Sequence, residues 1–201
     1  MGRTDRYKKS FTYAAVAVLI AIATEASAFD FKGLVLGEPT TPARVEAVFA
    51  TCAPFRGEQC NNVEQMLHDR LKITCGLGHQ GMMVCNGSTT IAGFLTMANI
   101  VIGQSGSLQR IALSEIDPDN FDELREQLVA KFGPPKRSEQ SRVQNSFGAQ
   151  YQQFEYEWSD ARGRRILLRK YADRVDKSSV TFDTPEDRAM LNQRRGKKGD
   201  L

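Results

Sequence analysis

The chain has 201 residues, 41% hydrophobic and 25% charged, which suits one globular domain or two small ones and excludes a low-complexity or wholly disordered chain. It carries 27 basic and 24 acidic residues, a formal charge of +3. Residues 1–28 hold four of the basic and two of the acidic residues, so the remainder sits near +1 and gives no whole-molecule case for nucleic-acid binding.

Those first residues read as a signal peptide. Arg3, Arg6, Lys8 and Lys9 make a basic start, Phe11 to Ala23 a short apolar run, and Ala26-Ser27-Ala28 a small-x-small cleavage site before Phe29. The apolar run is short for a membrane span, so export to a periplasm is expected, with secretion or an uncleaved N-terminal anchor as alternatives. No cysteine adjoins the cleavage site to mark an N-terminal lipoprotein.

The exported part opens with Phe31, Leu34 and Leu36 as a short strand. Thr41 is placed to cap a helix whose first position is Pro42, with Val45, Val48 and Phe49 on one face. A second short helix is expected, capped by Asn61 or Asn62 and carrying Val63, Met66, Leu67 and Leu71 as its apolar residues. Leu71 to Cys75 and Met82 to Cys85 read as two strands around a glycine-rich turn that fits neither phosphate-loop nor dinucleotide patterns. Thr89 to Ala98 is β-prone without a clear period.

Cys52, Cys60, Cys75 and Cys85 are an even set in an exported chain, which argues for disulfides. Three connectivities are open. Cys52–Cys60 and Cys75–Cys85 are favoured because each closes a short, turn-rich loop. There is no C-x-x-C for a zinc, redox or haem site. His68 and His79 lie between the cysteines, and a mixed Cys/His metal site is disfavoured by the spacing.

Ile100–Ile102 and Leu108–Ile116 read as a hairpin across Gly103–Gly106. The next helix has the strongest signals in the chain. Asn120 is expected to cap it with Glu123 reaching back, Phe121, Leu124, Leu128 and Phe132 share a face, and Gly133-Pro134-Pro135 stops it. Lys136 to Gly148 reads as an exposed polar loop. Phe154, Tyr156 and Trp158 then alternate with Gln153, Glu155 and Glu157, the pattern of a sheet with one wet face. Ile166 and Leu168, then Val180 and Phe182, make the last two strands. Residues 185–201 read as a disordered basic tail able to touch anionic lipid weakly.

No nucleophile–base set is visible, and no catalytic, cofactor-binding or metal-binding residue is assigned. Glu155 and Glu157 could work as paired carboxylates, but their place opposite an aromatic stripe fits a solvated face. Arg162, Arg164 and Arg165 flank a turn that reads as exposed, where they could form a small basic patch.

A short helix followed by antiparallel strands, first after Phe31 to Gly37 and again at Asp119 to Gly133, with Lys131-Phe-Gly-Pro-Pro135 at the junction, resembles small exported bacterial proteins of the β-lactamase-inhibitor-like and outer-membrane-assembly-lipoprotein (SmpA/OmlA) type. It covers residues 29–50 and 119–183 and implies helix-on-sheet modules that bind other envelope proteins. No functional residue is carried over from it.

The expected fold is therefore α+β: an antiparallel sheet with one or two helices on one face, or two related helix-plus-strands units, with a disulfide-stapled first half. Residues 29–98 form that first half. Residues 99–184 form a β-β-α-β-β-β second half, either joined to it in one domain or separate. The expected function is a non-enzymatic binding or accessory module of the bacterial envelope whose partner is another envelope protein. The alternative is a small periplasmic hydrolase around His68, His79 or Glu155. Intact mass of the exported protein should place its first residue at Phe29, and retention of Met1 would overturn the signal-peptide assignment.

Overall fold

The computed structural model describes residues 29–52 and 59–198. The expected signal peptide, and most of the loop between Cys52 and Cys60, lie outside them.

Local signals set the first elements. β1 (Asp30–Phe31) and β2 (Leu34–Val35) form a small hairpin. α1 (Pro42–Val48) starts where Thr41 predicts, with the Thr41 hydroxyl accepting from the Arg44 N–H. α2 (Asn62–Leu71) has a reciprocal cap: Asn61 Oδ1 accepts from the N–H groups of Val63 and Glu64, and the Glu64 carboxylate accepts from the Asn61 N–H. The cap turns Glu64 inward, and the inward stripe runs through Glu64, Leu67 and Leu71. Val63 and Met66, two of the apolar residues on which the helix was expected, are consequently 60% and 45% exposed.

Eight strands then form one antiparallel sheet. β3 (Thr74–Leu77), β4 (Met83–Ile91), β5 (Phe94–Ile102) and β6 (Leu108–Ile116) follow one another as a meander. α3 (Phe121–Phe132) crosses to the far edge, and β7 (Arg137–Gln144), β8 (Gln150–Ser159), β9 (Arg165–Arg169) and β10 (Ser178–Asp183) return toward the centre. β10 closes the sheet by pairing with β6, so the order is β3-β4-β5-β6-β10-β9-β8-β7. Each half is thus a helix followed by a four-strand meander, and the last strands of the two meanders meet in the middle. A boundary at residues 98/99 falls inside β5, whose pairing with β4 and β6 is unbroken there.

The stretch Thr89 to Ala98 resolves into a tight hairpin, with Ala92 and Gly93 both at positive φ (54° and 78°) between the paired Ile91 and Phe94. Lys136 to Gly148 is not a loop. Most of it is β7, whose polar side chains give no apolar alternation to read. Residues 185–198 are not a disordered tail either; they form α4 (Pro185–Lys198). Asn120 does not cap α3 with its side chain, because Pro118–Asn120 is a 3-10 turn running into the helix and Asp117 accepts from the Asp119 N–H instead.

The core lies on one face of the sheet. Leu113, Ile111, Ile100, Val180, Phe182, Ile166, Leu168 and Trp158 point toward α3 and the β1–β2 hairpin, which contribute Phe121, Leu124, Leu128, Leu34 and Leu36. Gly133 ends α3 at φ 78°, and its carbonyl receives the Trp158 Nε1–H at 2.7 Å, which locks the helix end onto β8. Leu124→Ala opens a cavity in this fully buried layer and should cost about 2–5 kcal/mol, whereas Val63→Ala should stay within about 0.5 kcal/mol. Urea denaturation of both variants checks the pair.

Candidate functional site

The opposite face of the sheet is charged, and pleat alternation is the cause: residues between the core positions point away from it. Glu155 lies directly across from Arg169 at 3.1 Å. Arg165 reaches Asp183 and, at 3.8 Å, Glu157. Asp183, on β10, lies in register opposite Arg110 of β6, and its carboxylate also receives Arg188 from α4. Glu155 and Glu157 therefore serve as ion-pair partners in a ladder, not as a free carboxylate pair.

This ladder fastens α4. Thr184 caps the helix, accepting from the Asp187 N–H. Asp187 is wholly buried, with one oxygen 3.3 Å from Arg110 Nη1 and the other without a hydrogen-bond partner. Burial pushes its carboxyl above the usual aspartate range, and nearby Asp183 adds to that, against the pull of Arg110. Arg188 also donates to the Gly163 carbonyl, and Arg194 to Gln80. Two members of the expected basic tail are thus engaged inside the molecule.

The arginines around the β8–β9 turn do not gather into one exposed patch. Arg164 is buried, held by Asp160 and the Leu36 carbonyl; Arg165 belongs to the ladder; Arg162 is exposed and pairs with Glu38.

Both favoured disulfides are present, Cys52–Cys60 and Cys75–Cys85, the second joining directly opposed residues of β3 and β4. They fit an oxidising compartment. Among the described residues no group of His, Cys, Asp and Glu is arranged to hold a metal, and no helix is long and apolar enough to cross a membrane.

His68 and His79 are apart. His79 lies in a 3-10 turn after β3. His68, on α2, places Nε2 3.1 Å from the Ala50 carbonyl and lines a small cavity with Lys32, Glu64 and Thr89. The Lys32 amino group donates to Thr89 Oγ1 at 2.9 Å and lies 5.4 Å from the Phe49 ring centre. Burial of that end lowers the lysine's pKa. A volume of about 20 Å³ has room for one water, not for an organic substrate. A wider open hollow of about 540 Å³ lies between the β5–β6 turn and α4, lined by Gln80, Gln104, Gln109, Met82 and Met190. Its polar rim is amide and hydroxyl, with Glu186 as its titratable member.

Among the described residues the most exposed strand is β7, on the β7–β8 arm. Seven of the eight β7 residues are exposed and Val143 is half-buried, so β7 is wet on both faces. β8 pairs with β9 only over Glu155–Ser159, and its first half has β7 as its one strand neighbour. The arm ends in an ordered turn. Asn145 Oδ1 accepts from the N–H groups of Phe147 (3.0 Å) and Ala149 (2.9 Å), and the Asn145 carbonyl accepts from Gly148, which sits at φ 87°. Gln144 Nε2 bonds the Gly148 carbonyl. This scaffold presents Phe147, 93% exposed, at the tip.

Phe147 and β7 were hidden inside a segment that reads as a polar loop. The available signal was Asn145-Ser-Phe-Gly148, a turn with a large apolar residue at its centre. Asp187 and Arg188 were hidden in the tail, where Thr184-Pro185 carries the same helix-start pattern as Thr41-Pro42.

Comparison of the chain with protein-family models, curated proteins and solved structures finds no match.

Asp187 predicts the sign of a pH effect. Its folded pKa is raised, so between the ordinary aspartate range and that raised value the folded state binds more protons than the unfolded one, and this residue makes the fold less stable as pH rises. Its contribution is favourable on the acid side of the window and is lost above it. Asp187→Asn should remove that component, so the stability difference between variant and native protein should change through the window and level off above it. Urea midpoints from pH 4 to 8 check this; a constant difference would contradict it.

Proposed function

We propose that this chain is an exported, non-enzymatic protein-binding module of the bacterial cell envelope, and that it meets its partner with the β7–β8 arm. The observation that carries the reading is Phe147, 93% exposed on a turn that is already ordered by Asn145 and Gly148. An aromatic ring held out in water contributes nothing to its own core and costs little extra ordering when it enters a partner's apolar pocket. The disulfides support function outside the reducing cytosol, in a periplasm given the basic-then-apolar N-terminus. The cavity beside His68 and Lys32 is too small for a substrate, which favours binding over catalysis there.

The test is a photoreactive phenylalanine analogue at position 147 in producing cells. One adduct of defined mass is expected from position 147 and not from position 77, where Leu77 is also well exposed but lies on the opposite sheet edge. Phe147→Ala should leave the folded protein's stability within about 0.5 kcal/mol while weakening recovery of that partner tenfold or so. Equal adducts at both positions, or none at 147, would sink Phe147 as the point of contact and with it the observation that carries this reading.

A further inference from the structure

The two edges of the sheet are treated differently. At one edge β3 has only four residues, and the Glu46 carboxylate from α1 accepts the outward N–H of Cys75 at 2.9 Å, which blocks pairing there. At the other edge β7 has eight residues and a strand neighbour on one side only. The Asn145 N–H bonds the Ala149 carbonyl at the end of the ladder, and Asn145 continues the β7 register. Counting back in twos, odd-numbered residues of β7 bond β8, and Ser138, Gln140, Arg142 and Gln144 direct N–H and C=O outward.

The side chains add a charge rule. Arg137 and Glu139, on one face, pair with each other. Arg142 lies on the other face, opposite Gln152 and between Gln140 and Gln144, and has no carboxylate partner among the described residues.

We propose that β7 accepts an extended segment of a partner protein as a ninth strand, with an acidic residue of that segment opposite Arg142. The inference rests on the binding-module reading and names what the arm would bind. Backbone hydrogen bonds would supply the attachment, and the paired charges on β7 would discourage indiscriminate strands while Arg142 selects among them. A second copy of this chain is a poor occupant. Antiparallel self-pairing brings together residues of the same face, and the Arg142 face of β7 offers only Ser138, Gln140, Arg142 and Gln144, without an acid.

The test uses residues 29–201 with ¹⁵N labelling and two capped peptides of about eight alternating Thr and Val residues, one with a central Glu and one with a central Lys. The Glu peptide should shift the amide signals of Ser138, Gln140, Arg142 and Gln144, slow their hydrogen exchange, and bind about fivefold more tightly than the Lys peptide. Arg142→Glu should reverse that order. Gln140→Pro removes an outward donor but none of the bonds to β8, and should abolish the shifts. Absence of shifts at these amides, or a preference that Arg142→Glu leaves unchanged, would overturn strand addition. Peptide binding that survives Gln140→Pro and disappears in Phe147→Ala would likewise overturn it while leaving the tip as the docking element. An edge response without any photo-adduct at position 147 would uphold strand addition and discard the tip.

Discussion

The structure depends on one pairing, β6 with β10. It sets Ile111 against Phe182 and Leu113 against Val180, joining two meanders that are otherwise separate in the chain. The same register sets Arg110 against Asp183 on the reverse side. Because side chains alternate with a period of two, a slip of one residue would move the charged ladder into the core and the core into water. The burial of Ile111, Leu113, Val180 and Phe182 therefore also fixes the ion pairs that hold α4.

α4 shows how such a face is used. The helix is mostly polar, and its first turn is held by Arg110, Asp183 and Asp187 rather than by a broad apolar stripe. A buried carboxylate with one unpaired oxygen is costly, and its pKa is raised accordingly. What the arrangement supplies is position: it directs α4 toward the β5–β6 turn, where Met190 walls the open hollow.

Functional interest falls on what this frame leaves uncovered. Helices and the β1–β2 hairpin cover the core face, and Glu46 closes the β3 edge. The β7–β8 arm reaches past the strands that support it, carrying an open edge and an ordered apolar tip. A polar edge strand such as β7, wet on both faces, adds little to a hydrophobic core, so its place in the molecule is more readily explained by contact with something outside.

Much was determined by sequence alone, wherever the physics is local. Thr41-Pro42, the Phe121–Leu124–Leu128 stripe, Gly133 and the short Cys75–Cys85 loop each act over a few residues, and each produces the expected element. Phe154, Tyr156 and Trp158 likewise share the core-facing side of a strand, although Gln153, expected on the wet face, is buried there with its side chain bonded to the Tyr171 backbone. Tertiary structure decided the rest. β7 has no apolar alternation because neither face is buried, so only its pairing with β8 makes it a strand. Val63 and Met66 share a spacing that suits a core face, but the cap at Asn61 turns Glu64 inward. The basic residues of α4 look solvated until the fold brings the carboxylate of Asp183, on the last strand, and the carbonyl of Gly163, in a distant turn, within reach of Arg188. Local propensity specifies where elements begin and end; which edge stays open and which charges are buried depends on neighbours that only the folded sheet brings together.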